Sequence, residues 1–426
     1  MKTIPNYDCK IFTDNIEQSA IDQLNNLLSI PVFANTKIRI MPDVHAGAGC
    51  VIGFTAPMGD KVIPNIVGVD IGCSIHVVEL PSCPDFEKLS NIIEEYIPYG
   101  RNVHEGNYFG SAGDYIASIY RDVKSLVKQL YCFRYLKDSQ RLAMSIGSLG
   151  GGNHFIEIDK DDAGKFYLVI HSGSRNLGKQ VADYYQKLAI KNHQGWDKVL
   201  EEQNRIIEQY KQEGRRSEIQ EAIAQLHRDF KAKGLNISRE LCWLDGQDAQ
   251  DYYHDMYICQ EFANYNRTTM AYTICTKLGF DYHSLEKFTT IHNYINPEDG
   301  ITRKGAISCK KGEKVIIPIN MRDGSIIGFG KGNEDWNYSG PHGAGRIMSR
   351  NEAFDKLKLE DFQASMKGIY STTINESTID EAPMVYKPID EIVNNIKDTI
   401  DIVSIIKPVF NFKASEMSYK NNHQIS

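Results

Sequence analysis

FYLVIHSGSRNLGKQVADYYQKLAI, residues 166–190, changes its period halfway along. FYLVIH is a short aromatic and β-branched run that predicts a strand ending at His171, and NLGKQVADYYQKLAI has the apolar spacing of a helix. HSGSR between them is a turn of small residues, so one segment supplies strand, turn and helix N-terminus, a favourable place for a phosphate or a metal. An ordinary capped turn would read the same way. Working outward, β-branched clusters predict strands over residues 37–44, 49–55, 74–80, 287–295 and 314–319, and helical periodicity covers 114–131 and 249–278. Residues 197–233 are charged, lack proline and are interrupted only by Gly214, which predicts a helical hairpin projecting from the body. Taken with the next helix it reads as a helical insertion, 197–278. No linker or fixed-period repeat divides the chain, so residues 1–426 read as a single body.

The chain has 48 Lys plus Arg against 55 Asp plus Glu, a net charge of -7. That balance argues against a protein that coats nucleic acid or an anionic membrane through its overall field; a bound RNA would need a local patch. Nine cysteines without a CxxC pair fit a reducing compartment. The N-terminus has no secretory or Arg-rich presequence pattern and no stretch of about 18 apolar residues occurs, so the expected location is cytoplasmic.

Histidines concentrate at strand ends and glycine-rich turns: His45, His76, His104, His154, His171, His292 and His342. In VDIGCSIH, Asp70 and Cys73 sit three apart on a turn, where a carboxylate and a thiolate can reach one ion, although most free cysteines are inert small hydrophobes. GSLGGGNHFIEI (147–158) brings backbone N–H groups toward an anion and presents Asn153 and His154 at a strand entry; Glu157, three residues on, points to the opposite face from His154. A flexible loop would also explain it. TIHNYI places His292 at the end of a β-branched run with Asn293 beside it to orient the ring, although a lone His on a strand is more often a structural residue. In SGPHGAGRIMSR (339–350) small residues surround His342, and Arg346 and Arg350, four apart, fall on one face of a following helix, ready for bidentate phosphate contacts. Jointly, Asp70, Cys73, His154, His171 and His292 supply enough ligands for two transition-metal ions, which beside phosphate-binding loops implies phosphoryl-transfer chemistry; ligand type alone fits Zn, Fe or Mn.

MPDVHAGAGCVIG, VDIGCSIH, GSLGGGNHFIEI, VIHSGSRNLG, HNYI and PHGAGRIMSR, followed by YKPIDEIV and IKPVFNFK, stand in the order in which the RtcB family of GTP-dependent RNA ligases carries such motifs, and the chain resembles that family over nearly its whole length. The resemblance implies an α+β fold, a single large domain with mixed and antiparallel sheets around a central metal cleft. It implies an enzyme with GTP and two Mn(II) ions as cofactors, joining RNA 2′,3′-cyclic phosphate or 3′-phosphate ends to 5′-hydroxyl ends in RNA repair or tRNA splicing. Matching positions make Asp70, Cys73 and His154 ligands of one ion and Cys73, His171 and His292 of the other. They make His342 the site of a covalent GMP adduct and Asp43 an essential acid. Asn153, Phe155, Glu157, Ser325, Ala344, Gly345, Tyr386 and Lys413 fall where the family holds the guanylate, and Arg175, Arg346 and Arg350 where RNA phosphates are expected. An archease-like activator is an implied partner.

The chain departs from the family at PINMRDGS (318–325), where Ile319, Asn320 and Arg322 replace small residues, and at Ala48, Ser74 and Asn176. Two other readings remain: a binuclear metal phosphoesterase, which needs neither His342 nor a guanine pocket, and a nonenzymatic RNA-binding protein using the helical hairpin. Arg175, Arg303, Lys304, Arg346 and Arg350 are the cations expected to line the cleft.

Overall fold

The computed structural model describes residues 1–232 and 235–414. Its central element is a seven-stranded, wholly antiparallel sheet built from β1 (Ser74–Leu80), β2 (Phe155–Lys160), β3 (Phe166–Ser172), β4 (Lys287–Ile291), β5 (Lys314–Asn320), β6 (Gly324–Gly330) and β7 (Ile400–Lys413), in the order β5-β6-β7-β2-β3-β1-β4. Both faces of its middle strands are buried, which is why FYLVIH is nearly continuously apolar instead of alternating. A second, six-stranded sheet carries Ile38–His45 and Ile52–Pro57; it is mixed, since Cys9–Ile11 pairs parallel with Ile38–His45.

The expected strand over 287–295 is in fact two. KFTTI pairs with β1 in the first sheet and Asn293–Ile295 pairs with Ile301–Lys304 in the second, so the chain changes sheets at His292. Period-2 alternation runs through the break and gives no warning of it.

Helix α1 (Arg175–Gln194) follows β3 as the sequence predicts, and α2 (Trp196–Gln212) and α3 (Ile219–Ala232) form the expected hairpin, its turn at Gly214. Residue 233, the last of the predicted hairpin, lies outside the described residues. Helix α4 (Gly246–Leu278) behaves differently from the hairpin before it. It runs through the core, burying Phe262 and Met270 together with Asn266 and Arg267. Asn266 accepts from the Ser148 amide at 3.0 Å and donates to the Ser148 and Gly173 carbonyls, while Arg267 donates to the carbonyls of Gly72 and Ser172 at 3.2 and 2.9 Å. Buried polar groups are costly unless paired, and here the pairs tie three loops at one end of the sheet to a rigid helix. Among the described residues no helix is long and apolar enough to cross a membrane.

Candidate active site

Antiparallel order explains why ligands distant in sequence meet. Cys73 immediately precedes β1, His154 precedes β2, His171 is the next-to-last residue of β3 and His292 follows β4. Adjacent antiparallel strands start and stop at the same edge, so all four lie at one end of neighbouring strands, and the turn before β1 adds Asp70. The ligand atoms form two groups, Cys73, His171 and His292, and Asp70, Cys73 and His154, each with all its atoms within 4.8 Å of one another. Cys73 Sγ lies 3.5 Å from His154 Nε2 and 3.3 Å from His171 Nε2; His171 Nε2 is 3.3 Å from His292 Nε2, and His154 Nε2 is 3.0 Å from Asp70 Oδ2.

The rings are oriented for metal. His154 Nδ1 meets the Leu149 carbonyl at 2.9 Å and His171 Nδ1 the Asn153 carbonyl at 3.0 Å. A carbonyl only accepts, so Nδ1 bears the hydrogen and Nε2 offers its lone pair. Burial, reinforced by neighbouring cationic and imidazole groups, holds His171 and His292 well below the ordinary histidine pKa, which keeps both neutral. Burial pushes the Asp70 carboxyl up, but a positive charge at His154, whose Nε2 a proton occupies when no ion does, outweighs it and leaves Asp70 below its usual value. Burial, with the Asp70 charge, raises the Cys73 thiol; a cation at the site would reverse that, because a coordinated thiol loses its proton. The packing leaves little slack. A Cβ on Gly173 would come within 2.2 Å of Asp70 Oδ1, and one on Gly150, at φ +96°, within 2.6 Å of His154 Nδ1. The donor set, ring orientation and cradle all fit a pair of transition-metal ions.

His342 stands next to the cluster, its ring centroid 4.8 Å from that of His292. Its Nδ1 donates to Asp43 Oδ2 at 2.7 Å, and the same oxygen accepts the backbone N–H groups of His342 and Gly343 at 3.1 and 3.2 Å. Nε2 is left as the free nitrogen. Asp43 comes from the six-stranded sheet, so the site spans the gap between the two sheets.

The cluster separates two cavities. The first, about 700 Å³, is bordered by His171 and His342 and walled by Asn153, Phe155, Glu157, Ala344, Gly345 and Tyr386, with Lys413 at its end. The second, about 650 Å³, is bordered by Asp70, His154 and Arg175. Glu157 and His154 thus do face opposite ways. Asn411 donates to Glu157 Oε1 at 2.6 Å, and burial raises the Glu157 carboxyl despite the nearby Lys413 ammonium. Ser325 is not on the cavity surface: it pairs with Pro318 across β5 and β6, and its buried hydroxyl has no hydrogen-bond partner. Of the departing segment, Ile319 and Asn320 line the first cavity, whereas Arg322 is turned to Asp323.

Three expectations about side chains change. Arg346 is not helical: the helix begins at Arg350, capped by Ser349, and Arg346 bridges to Tyr386. The two arginines still converge, because Arg346 reaches Glu381 at 3.3 Å and Arg350 reaches Asp380 and Glu381 at 2.9 and 3.2 Å. Arg303 and Lys304 do not line the cleft. Arg303 is fully buried against Asp299 and Ser339, and Lys304 holds the Ala48 and Asn65 carbonyls. Asn293 does not bond His292; it links the Asp70 carbonyl to the Gly305 amide. His76 and His104 are structural, the first bonded to Thr289 and Tyr282, the second stacked on Tyr108.

Sequence reading missed Glu381. Buried at the cavity wall, it binds Lys413 at 3.0 Å, Arg346, Arg350 and the Tyr386 hydroxyl. Burial alone would raise its carboxyl, but Lys413, Arg350 and Arg346 pull it down to about 2. A depressed carboxylate stabilises the fold above its unfolded pKa, and that contribution fades as pH falls from about 4.5 toward 2. Glu381→Gln is therefore expected to cost on the order of 3 kcal/mol at neutral pH, with the gap to wild type in urea or thermal unfolding closing as pH drops through that window. A gap independent of pH would remove the ionised carboxylate from the account.

The sequence profile of the tRNA-splicing ligase RtcB family matches residues 23–414. The chain is 29% identical to the RNA-splicing ligase RtcB of Escherichia coli K12 over 96% of this chain and 97% of that one. It is 26% identical to the tRNA-splicing ligase RtcB of Aeropyrum pernix, covering 83% and 82%, and 25% identical to that of Archaeoglobus fulgidus, covering 89% and 87%.

Proposed function

Because the chain belongs to the RtcB family, we propose that it is an RNA ligase of one catalytic body that uses GTP and two Mn(II) ions. It joins RNA 2′,3′-cyclic phosphate or 3′-phosphate ends to 5′-hydroxyl ends, in RNA repair or tRNA splicing. The observation that carries this reading is His342: a ring fixed by Asp43, with Nε2 free, where the metal-ligand cluster meets a cavity of about 700 Å³. That volume suits a nucleotide.

His342, its Nδ1–H held by Asp43, attacks the α-phosphorus of GTP through Nε2; an N–P bond forms and pyrophosphate leaves. A 2′,3′-cyclic phosphate end is first opened by water, which adds to phosphorus as the P–O2′ bond breaks; an oxygen of the resulting 3′-phosphate then breaks the N–P bond and takes GMP onto the RNA, and a 5′-hydroxyl, losing its proton, finally displaces GMP as the phosphodiester forms. Asp43 holds the ring in the nucleophilic tautomer and offsets positive charge on it once Nε2 is bonded. Glu157, steadied by Asn411, accepts from the N–H groups of a guanine edge, while Arg346 and Arg350 present cations to phosphates. Asp70, Cys73, His154, His171 and His292 would hold the metals, which when bound neutralise charge on phosphate oxygens.

Incubation with Mn(II) and α-labelled GTP tests the reading. The expected result is an acid-labile label on the protein, absent in His342→Ala. Metal-dependent cleavage of cyclic phosphates with no label on wild type would instead establish the phosphoesterase.

A further inference from the structure

The second cavity leads away from the cluster along α1. Beyond Asp70 and His154 it is bordered by Arg101, Lys137 and Arg141, all exposed, and by Asn176 and Lys179 on α1. The 131–141 segment and α1 are clamped together: Lys137 N–H donates to Gln180 Oε1 at 2.7 Å, and Gln180 Nε2 donates back to the Lys137 carbonyl at 3.2 Å. Following the same two elements outward, the next recess, about 470 Å³, is walled on one side by Tyr131, Arg134, Tyr135 and Tyr184 and on the other by Asp248 and Asp251. Tyr135 stacks on Tyr184 at 4.7 Å between centroids, and the Arg134 guanidinium lies 5.2 Å from the Tyr135 ring. Tyr131 and Tyr135 are 59% and 54% exposed, which is costly for large aromatic surface in water unless something covers it.

Cations outnumber acids along the second cavity, where Arg101, Lys137, Arg141, Arg175 and Lys179 stand against Asp70 and Asp138. Among the described residues no carboxylate forms a salt bridge with Arg101, Arg134, Lys137 or Arg141; the Arg141 guanidinium donates to the Arg101 carbonyl at 2.8 Å. The nearby acids have partners of their own: Asp183 pairs with Lys179, while Asp138, Asp248 and Asp251 accept from the Arg141 amide, Asn192 and Gln247. Cations leading from a catalytic cluster to exposed stacked rings are what single-stranded nucleic acid needs, since the backbone follows positive charge and bases stack on aromatic faces. From Arg175 to Tyr184 the helix rises about 14 Å, the reach of a few nucleotides.

We propose that a single-stranded RNA end enters the cluster through this second cavity and that bases further along the strand stack on the shelf of Tyr131, Tyr135 and Tyr184, with Arg101, Arg134, Lys137 and Arg141 against its phosphates. The proposal rests on the RNA ligase reading and assigns the strand's route, which that reading leaves open.

The test uses the full chain with Mn(II) and fluorescent 3′-phosphorylated RNAs of about 4 and about 16 nucleotides, spanning the usual range of single-strand site sizes. Wild type is expected to bind the longer RNA more tightly. Tyr131→Ala with Tyr135→Ala should weaken the longer RNA about tenfold or more and leave the shorter unchanged, and Tyr135→Phe alone should keep wild-type affinity. Lys137→Ala with Arg141→Ala should lower the salt slope by about one per lost phosphate contact. Equal affinity of the double tyrosine variant and wild type for the longer RNA, or an unchanged salt slope, overturns the proposal. The same preparations are challenged with labelled GTP. A wild-type protein that takes no label sinks the ligase reading, whereas a labelled protein whose RNA binding ignores the tyrosines sinks only the route.

Discussion

On the proposed ligase chemistry, Asp43→Asn is expected to slow formation of the GMP adduct by at least about 100-fold, with the loss in kcat and little change in KM for GTP. Asp43 does not border the first cavity, so it would act through the His342 ring. Its Oδ2 takes three donors, His342 Nδ1 and the amides of residues 342 and 343, and its Oδ1 is buried with no partner. Asparagine can enter this pocket in two ways. With its oxygen on the three donors it preserves the tautomer but removes the negative charge facing a ring that becomes cationic when Nε2 bonds phosphorus, a loss of about 100- to 1000-fold for one electrostatic stabiliser. It then also buries an amide NH2 where Oδ1 had no hydrogen-bond partner. Turned the other way, the NH2 faces Nδ1 and moves the ring hydrogen to Nε2, closing the nucleophile, and wrong-tautomer defects of that kind reach about 10⁴-fold. Rapid-quench measurement of labelled adduct gives the rate, and metal content checks that the neighbouring cluster survives. A rate within a few-fold of wild type would take Asp43 out of the chemistry.

The sequence made the ligands legible because strand ends are local. Cys73, His154 and His171 each sit where a β-branched run starts or stops, and antiparallel pairing then brings those ends together. Asp43, His342 and the glycine-rich turns were recognisable from family-like motifs for the same reason: their character lies within a few residues. What could not be read is whatever depends on a partner far along the chain. Asn266 and Arg267 look like ordinary polar positions on α4 until Ser148, Ser172 and Gly72 are seen to lie against them. Glu381 has no motif, and its importance comes from Lys413, Arg346 and Arg350 arriving from three other segments. Arg303 and Lys304 misled in the opposite direction, since alternation in a strand cannot distinguish a cleft wall from a sheet interior that buries its cations against Asp299 and backbone carbonyls. The sheet change at His292 was hidden too. Both halves of KFTTIHNYI have strand composition, and only the pairing partners, β1 on one side and Ile301–Lys304 on the other, reveal the switch.

Cys73→Ser carries the second large effect, because one sulfur belongs to both ligand groups. Its Sγ is 3.5 Å from His154 Nε2 and 3.3 Å from His171 Nε2, so no metal could settle in either group without meeting it. Removing a residue that only orients a ligand costs about 10- to 100-fold in metal affinity, so deleting a direct ligand should cost more. Serine is nearly isosteric, but its hydroxyl is a far poorer transition-metal donor than a thiolate at neutral pH. The expected result is that Cys73→Ser loses both equivalents of Mn(II) after gel filtration at low free metal. His292→Ala removes a ligand from one group only and should therefore retain about one equivalent. The contrast between the two variants separates a shared ligand from general damage, since both substitutions fall in buried positions a few ångströms apart. Element analysis and titration with Mn(II) read the stoichiometry without any assay of ligation. If Cys73→Ser still held two equivalents at wild-type affinity, the sulfur would not be common to the two sites, and the pairing of Asp70 with His154 and of His171 with His292 would have to supply two separate centres.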